Sequence, residues 1–205
     1  MLHRSAELSS TIPLPPNFTA THILHPPTYL NKILLASRQG SLALYNIRSR
    51  SLIHTFAALP GGAASPVTAL TSSPAVDIIG VGYLDGSVRV LDLRMDQEIL
   101  KVRMDGGVGA IAFRMGQCSD PLCGGRVQRA HARSSLSRTD NEPILATASL
   151  SGGLALWDLD QRGRLLHLLP NAHDGAIASL EWIPGQPLLI TSGGDNTIKV
   201  SQLRL

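Results

Sequence analysis

The chain has 205 residues, of which 43% are hydrophobic and 16% charged, enough apolar content for a buried core and too little charge for a disordered chain. Its formal net charge is +3 with a pI near 9.2, and fifteen of the eighteen basic residues are Arg, which favours bidentate phosphate or carboxylate contacts over simple solubilisation. Two cysteines, no stretch of about 18 uninterrupted apolar residues and no apolar signal core at the start argue against a disulfide framework, a membrane helix and secretion. The expectation is a soluble cytosolic or nuclear protein without a membrane partner, in which the Asn17-Phe18-Thr19 sequon goes unused.

Residues 1–19 read as an N-terminal extension, within which 6–14 form a candidate donor strand. Beyond them a repeat sets the organisation. Residues 34–46, 80–92, 146–158 and a fourth copy from Ile190 through Asp195-Asn196 to Ser201-Gln202 superpose as apolar strand, tight turn and second strand. A period near 45 residues with short strands is that of propeller blades, each a four-stranded antiparallel sheet. The turn chemistry explains the pattern: Asp85-Gly86 and Asp195-Asn196 suit the positive φ of hairpin turns, and Gln39-Gly40 and Ser151-Gly152 fill the same slot. Outer strands follow at 51–56, 98–104 and 163–169 with the mixed pattern of sheet edges, and the fourth unit has none. The predicted fold is all-β, a propeller segment of about four blades at 20–56, 65–104, 106–170 and 175–205, the last lacking its outer strand.

The closing positions Tyr45, Leu91, Trp157 and Ser201 lie 46, 66 and 44 residues apart, so the third unit holds roughly 20 residues beyond the period. These fall at 115–142, a Gly-, Ser- and Arg-rich stretch without apolar periodicity, read as a flexible insert. Arg126, Arg129, Arg133 and Arg138 give it a loose cationic cluster suited to RNA phosphates or an acidic protein surface, without base specificity. A solvated, tolerated loop is the plainer alternative. Cys118, Cys123 and His131 offer three zinc ligands where a structural site needs four and tighter pairing, so no metal is expected. The glycines from Gly80 to Gly86 follow an apolar strand, but the third comes one position late for a dinucleotide loop and no helix follows. Without a phosphate loop, a nucleophile elbow or a metalloprotease helix motif, neither cofactor nor catalysis is expected. Trp157 and Trp182 fall on strands and read as core, not as base-stacking platforms.

Trp157-Asp158, the degraded pairs Leu91-Asp92 and Tyr45-Asn46, the turn residue Asp85, and Ala172-His173 ahead of the fourth unit together resemble the WD-repeat signature. The resemblance implies a buried hydrogen-bond chain through His173, Asp195 and Ser192, with Ser201 standing where the signature has Trp. More specific is the run His25-Pro26-Pro27-Thr28-Tyr29-Leu30-Asn31-Lys32 followed by Gln39-Gly40-Ser41-Leu42. With Ser73-Pro74-Ala75-Val76-Asp77, residues 152–159 and Asn171-Ala172-His173 in the same order, it is similar to the WD-repeat subunit of the UTP-B subcomplex of the small-subunit processome, over roughly residues 20–203.

That resemblance implies structural roles for Asp85, Asp92, Trp157, Asp158, His173, Ser192 and Asp195, and a chain that is an internal slice of a longer protein. It further implies a non-catalytic scaffold for 18S pre-rRNA processing, in the nucleus and nucleolus. Implied partners are other UTP-B and processome proteins, with U3 small nucleolar RNA and pre-rRNA in the same particle. Direct RNA contact and mere membership of that particle are both compatible with it. The competing expectation is a WD-repeat adaptor that binds a peptide within a ubiquitin-ligase or chromatin complex.

Overall fold

The computed structural model describes residues 10–56, 65–73, 77–114, 143–160 and 163–202, and among these described residues it has fifteen strands and no helix. The first sheet joins β1 (Ala20–Leu24), β2 (Lys32–Ser37), β3 (Leu42–Asn46) and β4 (Ser51–Phe56) in chain order. The second joins β5 (Val67–Ser72), β6 (Ile78–Tyr83), β7 (Ser87–Asp92) and β8 (Gln97–Arg103), and the third β9 (Val108–Arg114), β10 (Ile144–Ser149), β11 (Leu154–Asp158) and β12 (Arg164–Leu169). The fourth has three strands among the described residues, β13 (Ile177–Trp182), β14 (Leu188–Gly193) and β15 (Ile198–Gln202). Every pairing is antiparallel between sequential strands. These are propeller blades, and the four do not close a ring.

The middle strands are mostly apolar because both their faces are covered, and the buried polar residues they do carry, such as Arg89, Thr147 and Thr191, are hydrogen-bonded. In β10 every residue is buried. Ile144, Ala146 and Ala148 point forward into a cluster with Ile177, Leu180, Trp182 and Leu189 of the fourth blade. Leu145 points back and joins Val88, Val90, Val108 and Trp157 between the second and third blades. A matching cluster seals the first blade to the second, with Leu34, Leu42 and Leu44 against Val67, Ile79, Val81 and Leu91. The core is therefore a row of three inter-blade layers, each built from the alternating faces of two sheets.

The hairpins between second and third strands turn where their residues accept a positive φ. Gly40, Gly86 and Gly152 do so at +82°, +86° and +90°, and Asn196 takes the position in the fourth blade at +59°. Outer strands carry exposed residues on the rim, as in β12, where Arg164, Leu165, His167 and Leu168 are exposed.

The two ends of the arc differ. In the first blade Leu35, Ala43 and Tyr45 face away from the second blade yet are buried, because Ile12, Leu14 and Phe18 pack over them. The candidate strand at 6–14 is corrected here. Its residues 6–9 lie outside the described residues, and 10–14 are not a strand. Pro13, Pro15 and Pro16 have no amide to give a sheet ladder, so the segment covers the blade with side chains only. At the other end Ile198 and Val200 are 74% and 60% exposed, although their counterparts Leu42 and Leu44, Val88 and Val90, and Leu154 and Leu156 are buried against a following blade.

Candidate interaction faces and the ties that frame them

One end of every blade is fixed by a tie between its central hairpin and the loop that enters its first strand. In the first blade the Arg38 amide donates to the Thr19 carbonyl (2.8 Å), and the Gln39 side-chain amide both accepts from the Thr19 amide (3.0 Å) and donates to the Thr19 hydroxyl (3.2 Å). In the second, the Leu84 amide donates to the Pro66 carbonyl (2.9 Å) and the Asp85 amide to the Ser65 hydroxyl (3.0 Å). Asp85 spends its carboxylate locally, accepting from the Ser87 amide and hydroxyl, each at 3.0 Å. In the third, the Leu150 amide donates to the Gly107 carbonyl (2.7 Å), while the Ser149 and Ser151 hydroxyls donate to the Asp105 carbonyl at 2.8 and 2.9 Å.

The fourth blade makes the same tie with charge. Besides the Gly194 amide donating to the Ala176 carbonyl (2.8 Å), His173 Nδ1 lies 3.0 Å from both Asp195 carboxylate oxygens. Asp195 also accepts from the Asp174 amide (3.2 Å) and from the Thr197 amide and hydroxyl (3.1 and 2.8 Å). His173 first, and these donors after it, hold the Asp195 carboxyl well below the usual carboxylate range. With its Nδ1 hydrogen directed at the carboxylate, the ring presents Nε2 to the Thr191 hydroxyl at 2.8 Å.

The strand hydroxyl of this chain is thus Thr191 and not Ser192. Side chains alternate across a strand, and Thr191 points into the buried face at 2% exposure while Ser192 points to the other. An Asp–His–Thr sequence of hydrogen bonds has the connectivity of a nucleophile relay, but the His173 side chain is fully buried and Thr191 nearly so. No reacting atom faces solvent, and the network acts as a strut.

The other signature positions do not converge on it. Trp157 Nε1 donates to the Thr147 hydroxyl at 2.8 Å inside the third blade. Thr147 is the counterpart of Thr191, 44 residues earlier, the same offset that separates Trp157 from Ser201. That offset was the sequence signal for Thr191. Asp92 accepts from the Arg94 and Met95 amides at 2.8 and 3.1 Å, closing the turn into β8. Asn46 does the same for Arg48 and Ser49 at 2.9 and 3.1 Å, and Asp158 for Asp160 at 2.9 Å. Arg126, Arg129, Arg133 and Arg138 lie outside the described residues, as do Cys118, Cys123 and His131. Among the described residues no group of three or more His, Cys, Asp and Glu is placed to hold a metal.

A charged pair that composition alone did not reveal sits between the first two blades. Arg89 is buried on the face of β7 opposite Val88 and Val90, and its Nε donates to a Glu98 carboxylate oxygen of β8. Burial alone would lower the guanidinium's proton affinity, but the adjacent Tyr83 hydroxyl and Glu98 carboxylate outweigh it and raise it.

Comparison with known proteins places these blades among relatives. The model of the WDR36/Utp21 first beta-propeller matches residues 2–203. The chain is similar to human WD repeat-containing protein 36, at 38% identity over 89% of this chain and 17% of that protein. It is also similar to the U3 small nucleolar RNA-associated protein 21 homolog of Schizosaccharomyces pombe, at 33% identity over 94% of this chain and 18% of that protein. The chain therefore spans under one fifth of the length of these relatives. Among solved structures, that of U3-55K superposes with a TM-score of 0.70 over 93% of this chain and 50% of that one, at 18% identity.

Proposed function

Because the chain belongs to the WDR36/Utp21 first beta-propeller family, we propose that it is a propeller portion of a non-catalytic scaffold in ribosome biogenesis, acting in the small-subunit processome during 18S pre-rRNA maturation. The observation that carries this reading is the likeness along nearly the whole chain to a relative named for its association with U3 small nucleolar RNA. The physical arrangement agrees with it. The signature polar groups are engaged within the fold, His173 and Asp195 in a loop-to-hairpin tie, Trp157 with Thr147 in the core, and Asp85, Asp92 and Asp158 in their own turns, so binding falls to the surfaces of the blades. Its partners in this reading are other UTP-B and processome proteins, with U3 RNA and pre-rRNA in the same particle, and its place is the nucleolus. Arg126, Arg129, Arg133 and Arg138 are its candidate contacts for RNA or for an acidic surface.

Depletion of the full-length protein tests the proposal. The expected result is dissociation of the UTP-B subcomplex, loss of early pre-rRNA cleavages and a fall in 18S with large-subunit RNA comparatively intact. Normal 18S maturation after complete depletion, with the protein co-purifying with a ubiquitin-ligase or chromatin complex, would replace the scaffold with a peptide-binding adaptor.

A further inference from the structure

We propose that the outer turns of the first blade, residues 25–31 between β1 and β2 and 47–50 between β3 and β4, form a docking surface for an acidic protein segment that carries an apolar side chain. This deepens the scaffold reading and rests on it. Leu30 is 87% exposed, the most exposed large apolar side chain among the described residues, and Ile47 beside it is 41% exposed. The backbone holds Leu30 outward. The Tyr29 amide donates to the Pro26 carbonyl (3.1 Å), the Lys32 amide to the Tyr29 carbonyl (3.3 Å), and the Ile47 amide to the Asn31 carbonyl (2.8 Å), joining the two turns. The Tyr29 side chain packs against the layer between the first two blades. With the backbone held in this way, only the rotamers of the Leu30 side chain itself remain to be ordered when a partner covers it.

Within the two turns themselves the charge is of one sign. Lys32, Arg48 and Arg50 are the charged residues of 25–32 and 46–51 apart from His25, and neither segment contains Asp or Glu. None of the three makes an ion pair with a described residue. On the adjoining second blade, Asp77 is held by Arg94 at 3.0 Å, and Asp92 is occupied by the Arg94 and Met95 amides. Carboxylates of a partner therefore meet cations with no internal competitor in these turns.

A protein suits the surface better than RNA. Single-stranded RNA binds where cations follow the backbone and aromatic faces stack the bases. Here the Tyr29 ring lies against the core and under the Lys32 ammonium, 4.2 Å from its centroid, so it offers no stacking face. What the turns do offer is two aliphatic side chains, which match an apolar residue of a peptide.

The test incorporates p-benzoylphenylalanine at position 30 of the full-length protein, cross-links it in cells and identifies the adducts by mass spectrometry. The expected adduct is a protein segment with Asp or Glu within a few residues of the attachment point, lost when Arg48→Glu and Arg50→Glu are introduced together. Adducts on RNA, on a neutral or basic segment, or at no more than the level of a probe at exposed Thr55 overturn the proposal. Thermal melting of the Arg48→Glu/Arg50→Glu protein separates loss of binding from loss of folding. If the protein bearing the probe at position 30, with Arg48 and Arg50 intact, co-sediments with the processome and yields no acidic adduct, this surface fails while the scaffold stands. If the wild-type protein is absent from the particle, the scaffold reading itself fails.

Discussion

Replacing Thr147 with Val removes a buried hydroxyl at the centre of the third blade, with the bond it accepts and the weaker one it donates, and leaves shape nearly unchanged. Thr147 is fully buried on β10, accepts from Trp157 Nε1 at 2.8 Å, and has Met104 Sδ at 3.0 Å and the Ala155 carbonyl at 3.4 Å within reach of its own hydrogen. Valine fills the same volume but cannot accept, so the indole N–H becomes an orphan where water does not reach. An orphaned buried donor costs about 1–3 kcal/mol, which for a chain of this size lowers the melting midpoint by roughly 2–4 °C per kcal/mol. Thr147→Ser keeps the acceptor and sacrifices one methyl, about 0.8 kcal/mol. Trp157→Phe removes the donor and also leaves a cavity, so its own cost is larger and less informative. The decisive quantity is the coupling in a double-mutant cycle followed by urea unfolding. In the Trp157→Phe background Thr147→Val should lose most of its effect, a coupling of about 1–2 kcal/mol. A coupling within the roughly 0.3–0.5 kcal/mol of simple additivity would show that the pair contributes packing and no specific bond.

Gly152→Ala should destabilise the third and fourth blades together. A Cβ at Gly152 would stand 2.1 Å from the His173 carbonyl oxygen with the backbone at φ +90°, so the loop from the third to the fourth blade must move, at about 2–4 kcal/mol in a urea titration. Glu98→Gln should cost about 1–3 kcal/mol, below the figure for a fully buried pair because the Glu98 side chain is one-third exposed. Arg89→Met with Glu98→Gln should recover part of that loss, measured by the same titration. Asp195→Asn tests the charged tie by its pH dependence. Since the folded-state pKa is depressed, the stability it confers is present above the ordinary carboxylate pKa of about 3.9 and is lost as pH falls through the lower folded value. The stability gap between wild type and Asp195→Asn should be widest near neutral pH and narrow below about pH 4; a constant gap would refute the assignment.

Much of the architecture was legible because its signals are local. Hairpin turns at Gln39-Gly40, Asp85-Gly86, Ser151-Gly152 and Asp195-Asn196 announce themselves through residues that tolerate positive φ, and the strands between them follow from the repeat. Ser192 was misassigned by one position because a family pattern fixes approximate spacing, whereas strand parity fixes which side of the sheet a hydroxyl occupies. The Trp157–Ser201 offset carried the correct answer, Thr191, within the same sequence. The Ile12, Leu14 and Phe18 cover over the first blade was invisible for a different reason. Its contacts are long-range, and alternating prolines give it neither strand nor helix periodicity. The Arg89–Glu98 pair was equally hidden, since nine residues of separation say nothing of a bulge that brings Glu98 opposite Leu91.

The four blades solve one mechanical problem with four chemistries, and this explains why the signature can decay while the fold persists. A backbone bond from hairpin to entering loop recurs in every blade, at Arg38, Leu84, Leu150 and Gly194. Only the side-chain reinforcement differs: an amide in the first, a serine in the second, two serines in the third, and the His173–Asp195 pair in the fourth. The opposite ends of the blades are built differently. There Asn46, Asp92 and Asp158 each close their own turn by accepting amides two or three residues ahead. The bonds that close such a turn come from its own side chain. Where a neighbouring blade does reach it, as His54 of the first blade reaches Asp96 of the second at 2.9 Å, the pair is solvent-exposed, so the residues displayed there can change at little cost to the core. Binding chemistry is expected where the fold tolerates variation most. Leu30, Ile47, Lys32, Arg48 and Arg50 occupy that end of the first blade, and their removal should change what the protein holds while leaving how it folds untouched.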